Sequence, residues 1–374
     1  MDYKVRFVNY PLQYHTMKRE IDDAIISCLE GGDYIMRRHL SEFENNLAHF
    51  LGVRYAVGVN SGTDALHLSL LAAEVGPGDE VITVAHTFVA TLAVIVHCGA
   101  TPILVDIGND FNMDMGLIEE AITPKTKAIM PVHLNGRLCD MERLMSIADK
   151  HSLPVIEDAA QALGARFDGK MAGSFGLTGC FSFYPAKILG SFGDGGAVVT
   201  NNSGIAEKIR YLRDHNQQRA TGELLGYGFN SRLDNLQAAV LDAKLKHLPD
   251  WIGIRRGLAV LYEEGLSGLS QIKTPAPPQR GHHFDVFTNY VIRAGRRDEL
   301  ADYLKEHGIE VLISWRKPLH LQKALRLEHF WLPETVRASQ QVLSLPLNTE
   351  VSNDQVRYVV DSICNFYSAP KRGT

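Results

Sequence analysis

Apolar residues along this chain follow two periods, one typical of amphipathic helices and one typical of short buried strands. Residues 16–30 and 40–51 repeat apolar positions at helical spacing, and each segment runs into glycine. From residue 55 onwards, short apolar runs alternate with helical segments. The predicted strands are Tyr55–Val59, Glu80–Val84, Pro102–Val105, Ala128–Val132, Leu153–Ile156, Cys180–Tyr184 and Ala197–Thr200. The predicted helices in this region are residues 64–73, 89–98, 115–122, 139–151, 203–213 and 233–247.

This alternation predicts an α/β fold. Strands that are separated by helices pair in parallel, with helices on both faces of the sheet. We therefore expect residues 1–250 to form a large domain with a mostly parallel central sheet flanked by helices. The remaining pattern, residues 251–374, is mostly helical, with one strand at 287–292. It predicts a smaller C-terminal α+β domain.

Several candidate functional residues fall where predicted strands end. Ligands of parallel α/β sheets bind at the carboxyl ends of the strands, which brings such residues together. The set comprises Ser61–Thr63, Phe88, Asp158, Ser182 and Lys187. Residues 60–63 join a strand to a helix, and the free backbone N–H groups of such a junction suit a phosphate. An ordinary turn capped by Ser61 is the alternative.

Asp158 and Lys187 suggest the chemistry of pyridoxal 5′-phosphate. That cofactor needs a lysine for a Schiff base, an anion beside its pyridine nitrogen, a phosphate cradle and a flat face for its ring. Lys187 and Asp158 can supply the first two. The cradle and the flat face can come from other strand ends, at Gly62, Thr63, Ser182 and Phe88. Taken singly, Lys187 could be a solvated surface lysine, Asp158 a helix cap and Phe88 a core aromatic, and the others could be ordinary turn residues. The hypothesis therefore depends on all of them meeting at one site.

The composition excludes several classes of function. The chain has 374 residues, of which 45% are hydrophobic, and a net charge of −5, which favours no nucleic-acid partner. Its five scattered cysteines form no CxxC pair, which is typical of a reducing compartment. Without a leader-like segment or a run of about 18 apolar residues, we expect a cytoplasmic protein that does not cross a membrane. His133, His282 and His283 have no carboxylates at ligand spacing, so we expect no metal.

Seven motifs, taken in order, give the chain a specific resemblance. They are NSGTDAL (60–66), GPGDEVIT (76–83), TFVAT (87–91), AITPKTKAI (121–129), VIEDAAQALGA (155–165), SFYPAKILGSFGDGGAVVT (182–200) and GFNSRLDNLQAA (228–239). Together they resemble the sugar aminotransferases of the DegT/DnrJ/EryC1/StrS family, which are fold type I pyridoxal-phosphate enzymes. The resemblance runs over nearly the whole chain.

The resemblance implies a role for each matching residue. Lys187 would form the Schiff base and shuttle the proton, and Asp158 would pair with the pyridine nitrogen. Gln161 would contact the ring hydroxyl and Phe88 would stack on the ring. The matching phosphate-binding positions are Gly62, Thr63 and Ser182. Asn230 matches a residue that reaches the phosphate in the other subunit, which implies a homodimer with shared active sites.

The implied reaction is a ping-pong transamination. L-Glutamate would give its amino group to the cofactor and leave as 2-oxoglutarate, and a nucleotide-linked keto sugar would then receive the group. The NSRLD pattern at residues 230–234 is similar to members that aminate a sugar at C3, whereas relatives acting at C4 more often have NYR there. A 3-keto sugar is therefore favoured.

Two stretches depart from the family pattern and leave the substrate open. Members often have tyrosine near Asn135, and many have His-Tyr-Pro at residues 314–316, where this chain has Ser-Trp-Arg. The candidate substrate residues are Asn135, Arg232 and Arg316, with Lys317 as a further basic partner for a nucleotide diphosphate. The alternatives are a 4-keto sugar, a cyclitol, or a non-catalytic regulatory protein that only binds the cofactor. Dehydratase relatives replace the lysine with histidine, so Lys187 disfavours that branch.

Overall fold

The computed structural model describes residues 3–277 and 281–369, and in them helices alternate with strands. The helices are α1 (Tyr10–Thr16), α2 (Lys18–Glu30), α3 (Arg38–Leu51), α4 (Gly62–Ala72), α5 (Val89–His97), α6 (Ile118–Ala121), α7 (Met141–His151), α8 (Ser203–Leu212), α9 (Asn235–Leu245), α10 (Leu248–Leu266), α11 (Arg297–Glu306), α12 (Pro333–Gln341) and α13 (Asn353–Ser368). The strands are β1 (Tyr55–Val59), β2 (Glu80–Val84), β3 (Thr101–Val105), β4 (Thr126–Ile129), β5 (Ile156–Asp158), β6 (Arg166–Phe167), β7 (Lys170–Met171), β8 (Thr178–Ser182), β9 (Gly196–Thr200), β10 (Ile272–Lys273), β11 (His283–Phe284), β12 (Tyr290–Ala294) and β13 (Val342–Leu345). Every element predicted between residues 55 and 247 is present, with its ends shifted by a few residues.

Seven of these strands form one central sheet. β2 lies between β3 and β4 and is parallel to both, and β5 is parallel to β8. Parallel bridges from Ile129 to Val155 and from Val132 to Asp158 join the two groups. The order across the sheet is therefore β1-β9-β8-β5-β4-β2-β3. This confirms the predicted α/β fold with a mostly parallel sheet.

β9 is the exception, because it is antiparallel to both of its neighbours, β1 and β8. A parallel return needs a long crossover connection, usually with a helix. The residues between Ser182 and Gly196 are all described and contain no helix. The chain therefore turns back beside β8, and Lys187 lies in this returning loop.

Helices cover both faces of the sheet, and strand residues alternate between the two sides. In β1, Val57 and Val59 belong to a core that also contains Leu68 of α4. Ala56, which precedes Val57 and points to the other face, belongs to a second layer of core with Phe43 of α3. Burial on both faces fixes the register of β1 and places the start of α4 at the carboxyl edge of the sheet.

A separate core forms around α10, α11, α13, β12 and β13. Helix α10 spans both cores, because Ile252 packs in the first and Leu258 in the second. Val5 also packs in the second core and forms a parallel bridge with Ile309. The predicted domain boundary at residue 250 falls in the first turn of α10, and it stays a prediction.

The C-terminal part differs most from what the sequence predicted. The strand expected at residues 287–292 begins only at Tyr290, because Phe287 has a φ of 50°, a left-handed value that strands do not adopt. Helix α12 and strand β13 had no counterpart among the predicted elements. Within the described residues, no helix is both long enough and apolar enough to cross a membrane.

Candidate active site

A cavity of about 530 Å³ lies at the carboxyl edge of the sheet. It is lined by nearly all the predicted cofactor residues: Gly62, Thr63, Phe88, Asp158, Gln161, Ser182 and Lys187. It is also lined by residues that the sequence analysis did not single out, among them Thr87, Thr91, Tyr184 and Asp194. The fold thus gathers residues at or after the ends of β1, β2, β5 and β8 into one place.

The N-terminus of α4 forms one wall of this cavity. Ser61 caps the helix, since its hydroxyl accepts the N–H of Asp64 at 3.0 Å. A Cβ on Gly62 would come within 2.7 Å of the Cβ of Ser182, and one on Gly196 would come within 2.4 Å of the Ser61 carbonyl carbon. Glycine is therefore required at both positions for this close approach. The first N–H groups of α4 have no intrahelical partner, and with the helix dipole they suit an anion.

Asp158 ends β5 and is almost fully buried, at 6% exposed. Its Oδ2 accepts the Thr91 hydroxyl at 2.8 Å, and its Oδ1 accepts the N–H of Ala160 at 3.3 Å. Burial raises the pKa of Asp158, while the Thr91 hydroxyl, the Ala160 N–H and the nearby Lys187 act to lower it. The site therefore holds a carboxylate whose charge depends on a small number of partners.

Lys187 lies half-buried in the loop between β8 and β9. Its backbone N–H donates to the carbonyl of Tyr184 at 2.8 Å, and the Ser191 hydroxyl donates to the carbonyl of Phe183 at 2.7 Å, so the loop is tied to the end of β8. Burial lowers the pKa of the Lys187 ammonium, and Asp158 opposes this shift. A lysine with a lowered pKa loses its proton more readily and becomes a nucleophile.

Gln161 is held from the side opposite the cavity. Its Oε1 accepts the backbone N–H of Asn135 at 2.9 Å and the amide of Asn289 at 3.5 Å. Its carbonyl accepts the hydroxyl of Thr288 at 2.5 Å. With Oε1 engaged, the side-chain NH₂ group is the part of Gln161 that can donate to a ligand.

Asn135 lies on the far side of that contact, with a φ of 58°. It lines a neighbouring cavity of about 380 Å³, together with Arg137 and Asp285. Asparagine is one of the few residues that tolerate the left-handed region, so the local backbone conformation suits the residue found there.

The other predicted residues lie outside the lining of the main cavity. Asn230 is exposed and forms an isolated bridge with Asp214. Arg232 donates to the same Asp214 at 3.0 Å. Arg316 is exposed and donates to Asp298 at 2.6 Å. Within a single chain, the structure does not bring these three residues to Asp158 and Lys187.

Phe88 lines the cavity but remains 61% exposed. It is the N-cap of α5, four residues beyond the end of β2. One face of its ring is therefore available to a flat ligand.

A buried pair beneath Asp158 was not predicted from the sequence. Glu157 and His133 are both fully buried, with Oε2 and Nε2 3.0 Å apart. His133 Nδ1 accepts the N–H of Cys139 at 3.2 Å, so the ring is the neutral tautomer and its Nε2–H donates to Glu157. Backbone N–H groups of Gly173, Phe175 and Gly176 also donate to Glu157, each at 2.7 Å. The charged run Glu157-Asp158 at the end of an apolar strand was the available signal.

The contact between Thr87 and Thr91 was also not predicted, although both residues lie in the TFVAT motif. Their hydroxyl oxygens are 2.8 Å apart and both side chains are buried. The i, i+4 spacing across a helix start places two such side chains on one face, and this was the available signal. Among the described residues, no three His, Cys, Asp or Glu side chains form a metal-binding group.

Comparison with known proteins gives consistent matches over nearly the full length. A family model described as the DegT/DnrJ/EryC1/StrS aminotransferase family matches residues 15–364. The "Pleiotropic regulatory protein" of Geobacillus stearothermophilus is 42% identical over 360 residues, which cover 95% of this chain and 96% of that protein. The dTDP-3-amino-3,4,6-trideoxy-alpha-D-glucose transaminase of Streptomyces venezuelae is 42% identical over 366 residues, which cover 96% and 95%.

The same similarity appears among solved structures. The crystal structure of S. venezuelae DesV in complex with a ketimine intermediate superposes with a TM-score of 0.94 at 40% sequence identity. The superposition covers 98% of this chain and 99% of that chain.

Proposed function

This chain belongs to the DegT/DnrJ/EryC1/StrS aminotransferase family, and we propose that it moves an amino group from L-glutamate to a nucleotide-linked 3-keto sugar, with pyridoxal 5′-phosphate as cofactor. The observation that carries the proposal is the cavity in which Asp158, Lys187 and the N-terminus of α4 meet. A buried carboxylate, a lysine with a lowered pKa and an anion site are three of the four features that this cofactor requires.

The residues present fit pyridoxal phosphate. The close approach of Gly62 to Ser182 leaves backbone N–H groups open to a phosphate at the start of α4. Asp158 can hold a proton on the pyridine nitrogen, Gln161 can donate to the ring hydroxyl, and Phe88 offers a ring face. When bound, pyridoxal phosphate supplies an electron sink for the negative charge that develops on the substrate carbon, and it carries the amino group between the two substrates.

The chain's own residues would handle the protons. Neutral Lys187 Nζ would take the proton from the α-carbon of glutamate, and in the second half-reaction it would deliver a proton to the former carbonyl carbon of the sugar. Asp158 would keep its negative charge throughout and hold the ring-nitrogen proton in place. Loop residues 183–191, tied to β8, would keep Lys187 in reach of both carbons.

A homodimer with shared sites would complete the cavity. Asn230 is exposed in a loop that also exposes large apolar side chains, at Leu224, Leu225, Tyr227 and Phe229. An exposed apolar stretch of this kind is typical of a surface that another protein covers. Contact with a second copy would bring Asn230 to the phosphate site of its partner.

The choice of a 3-keto sugar rests on the NSRLD pattern and on a relative. The Streptomyces venezuelae protein is named for a 3-amino sugar nucleotide. Arg232 and Arg316, with Asn135 deeper in the protein, are the proposed substrate residues. Because each arginine already pairs with an aspartate, a nucleotide diphosphate would have to replace or share Asp214 and Asp298.

A regulatory role is the second candidate, because the Geobacillus stearothermophilus relative is named a regulatory protein. Such a protein would bind the cofactor without turning over an amino donor. Lys187, Asp158 and Gln161 line one cavity, and this supports the enzyme.

The experiment that separates these functions uses the cofactor's colour. Protein loaded with pyridoxal phosphate should be yellow, and L-glutamate should shift the absorbance to that of the aminated cofactor, with 2-oxoglutarate released. Lys187→Ala should abolish the shift, whereas Lys125→Ala, at an exposed lysine, should retain it. If the absorbance of the loaded wild-type protein did not change with any amino donor, the aminotransferase proposal would be overturned.

The substrate is then identified with the aminated form. UDP-, dTDP- and GDP-linked 3-keto and 4-keto sugars, and a keto cyclitol, would each be added, and the products weighed by mass spectrometry. The proposal is supported if a 3-keto sugar restores the yellow form and the 4-keto sugars and the cyclitol do not. Return only with a 4-keto sugar or the cyclitol would contradict the assigned position of amination.

A further inference from the structure

We propose that Thr91, with Thr87 behind it, is a positioning residue that keeps Asp158 ionised and thereby keeps the pyridine nitrogen of the cofactor protonated. This inference rests on the proposed function only for the identity of the cofactor. It assigns a role to two hydroxyl groups that take no direct part in amino transfer.

The hydroxyls form a short chain that ends on the carboxylate. Thr91 Oγ1 lies 2.8 Å from Asp158 Oδ2, and Thr87 Oγ1 lies 2.8 Å from Thr91 Oγ1. Thr87 and Thr91 are 1% and 0% exposed, so bulk water does not compete for these contacts. The start of α5, which carries Thr91, lies beside the end of β5, which carries Asp158.

The direction of the chain follows from counting protons. An ionised carboxylate can only accept, so Thr91 donates its single hydroxyl proton to Asp158. Thr91 can then only accept from Thr87, which therefore donates to it. Each bond polarises the next, and a hydrogen bond to an ionised acceptor is stronger than one to a neutral acceptor. The chain therefore favours the charged form of Asp158.

The other groups around Asp158 make this contribution decisive. Burial opposes the charge, and the backbone N–H of Ala160 is a longer contact, at 3.3 Å. His133 is neutral, and the buried Cys180 thiol carries no charge because burial raises its pKa far above its usual range. Glu157 is anionic and has its own donors on another side.

The charge of Lys187 also lowers the pKa of Asp158, but Lys187 cannot keep that charge throughout the reaction. Its Nζ must lose its charge to act as nucleophile and base. The Thr91 hydroxyl keeps its proton at every step. It is therefore the constant partner that holds the carboxylate charge while Lys187 changes protonation.

The test uses holoenzyme loaded with pyridoxal phosphate labelled with ¹⁵N in the ring. Thr91→Val removes the hydroxyl with little change of shape, Thr91→Ser retains it, and Thr87→Val removes only the far end of the chain. Thr83→Val is the matched control, since Thr83 is equally buried but donates to the carbonyl of Met130. The ring-nitrogen chemical shift is followed as the pH is raised, beside kcat and KM for glutamate.

We expect wild type, Thr91→Ser and Thr83→Val to keep a protonated ring nitrogen to a higher pH than Thr91→Val. In Thr91→Val, kcat should fall about 10- to 100-fold, as expected for loss of one hydrogen bond to a charged group, with KM within about twofold. Thr87→Val should shift the ¹⁵N titration in the same direction by a smaller amount.

Two results would overturn the inference. One is a ¹⁵N titration in Thr91→Val that matches wild type. The other is an equal change in Thr83→Val, which would make the effect one of burial alone. If Thr91→Val does not fold, Thr87→Val decides, and an unchanged titration there overturns the inference. The ¹⁵N signal is independent of turnover, so failure of the glutamate reaction remains a separate result.

Discussion

Asp158 is the residue at which function opposes stability. Because burial raises its pKa, the folded chain binds this proton more tightly than the unfolded chain does. The contribution of Asp158 to stability is therefore greatest in acid and is lost as the pH rises through its folded pKa. At neutral pH, the ionised carboxylate is held in the cofactor-free protein at a cost in folding free energy.

We expect Asp158→Asn to stabilise the cofactor-free protein at pH 7 to 8. The melting temperature should rise by about 2 °C or more, and the gain should shrink as the pH approaches 4. Calorimetry across this range checks it, with Asp302→Asn as an exposed control that should change little. In the same variant, turnover should fall about 100-fold or more, because the amide carries no charge to stabilise the ring proton. A destabilised variant at pH 8 would contradict this account of the carboxylate.

Gly62 gives a second prediction at the scale of one residue. In Gly62→Ala, the new Cβ would meet Ser182 at 2.7 Å and would push that side chain into the phosphate site. Overpacking of this kind costs about 1–3 kcal/mol, so the dissociation constant of pyridoxal phosphate should rise about tenfold or more. Fluorescence titration of the cofactor measures it. Gly76→Ala is the control, because a Cβ there has open space, and equal affinities for the two variants would argue against the cradle.

The residues that the sequence could predict are those whose chemistry is unusual at their position. The sequence alone shows that a lysine lies between an apolar run and a glycine cluster, and that an acid lies at a strand end. Thr91 could not be found that way, because its role comes from a contact with Asp158, 67 residues further along the chain. Asn230 is the converse case: the resemblance assigns it to the phosphate, and in one chain it lies outside the cavity.

At the scale of elements, Glu157 holds β5, the end of β4 and the 173–176 turn together. It accepts His133 from one side and three backbone N–H groups from another. In Glu157→Gln, the amide NH₂ would face groups that can only donate, because His133 Nδ1 is already occupied by Cys139. We expect a loss of about 3 kcal/mol in unfolding free energy.

Urea unfolding measures that loss. Glu119→Gln is the control, since Glu119 is exposed and pairs with Lys150 and His151, and it should lose about 0.5 kcal/mol or less. Similar losses in the two variants would contradict the assigned role of the buried carboxylate.

The elements that the sequence predicted well are those fixed by local periodicity. β1, α3 and α4 carry apolar residues on the faces that they bury, so their pattern is visible without the fold. The direction of β9 was not visible, because it depends on the absence of a crossover helix after Ser182. The conformation of Phe287 was not predictable either, because its apolar side chain suggested a strand while its backbone is left-handed.

At the scale of the whole molecule, the shared-site dimer makes a quantitative prediction. Lys187→Ala and Asn230→Asp should each be nearly inactive, the second because a carboxylate would repel the phosphate. Mixed and allowed to exchange subunits, they should recover about a quarter of wild-type activity. Half of the dimers would then be mixed, and each mixed dimer would have one site with both native residues.

Turnover after subunit exchange measures this recovery, and size-exclusion chromatography with light scattering confirms the dimer. A mixture of Lys187→Ala with Asp158→Asn is the control, since both residues belong to one chain's cavity. Its mixed dimers contain no intact site, so no activity should return. Recovery absent from both mixtures would contradict the assignment of Asn230 to the partner's site.

The contact between Val5 and Ile309 sets an order of events during synthesis. The ribosome makes Val5 roughly 15 to 60 s before Ile309, given about 5–20 residues per second. Throughout that interval the N-terminal segment has no partner strand, although the central sheet can already assemble. The second core also needs α13, which ends at Ser368, so this core is completed later still. A chain that stalls before Ile309 would therefore carry an assembled sheet and an N-terminal segment without its partner, which chaperones and proteases can bind.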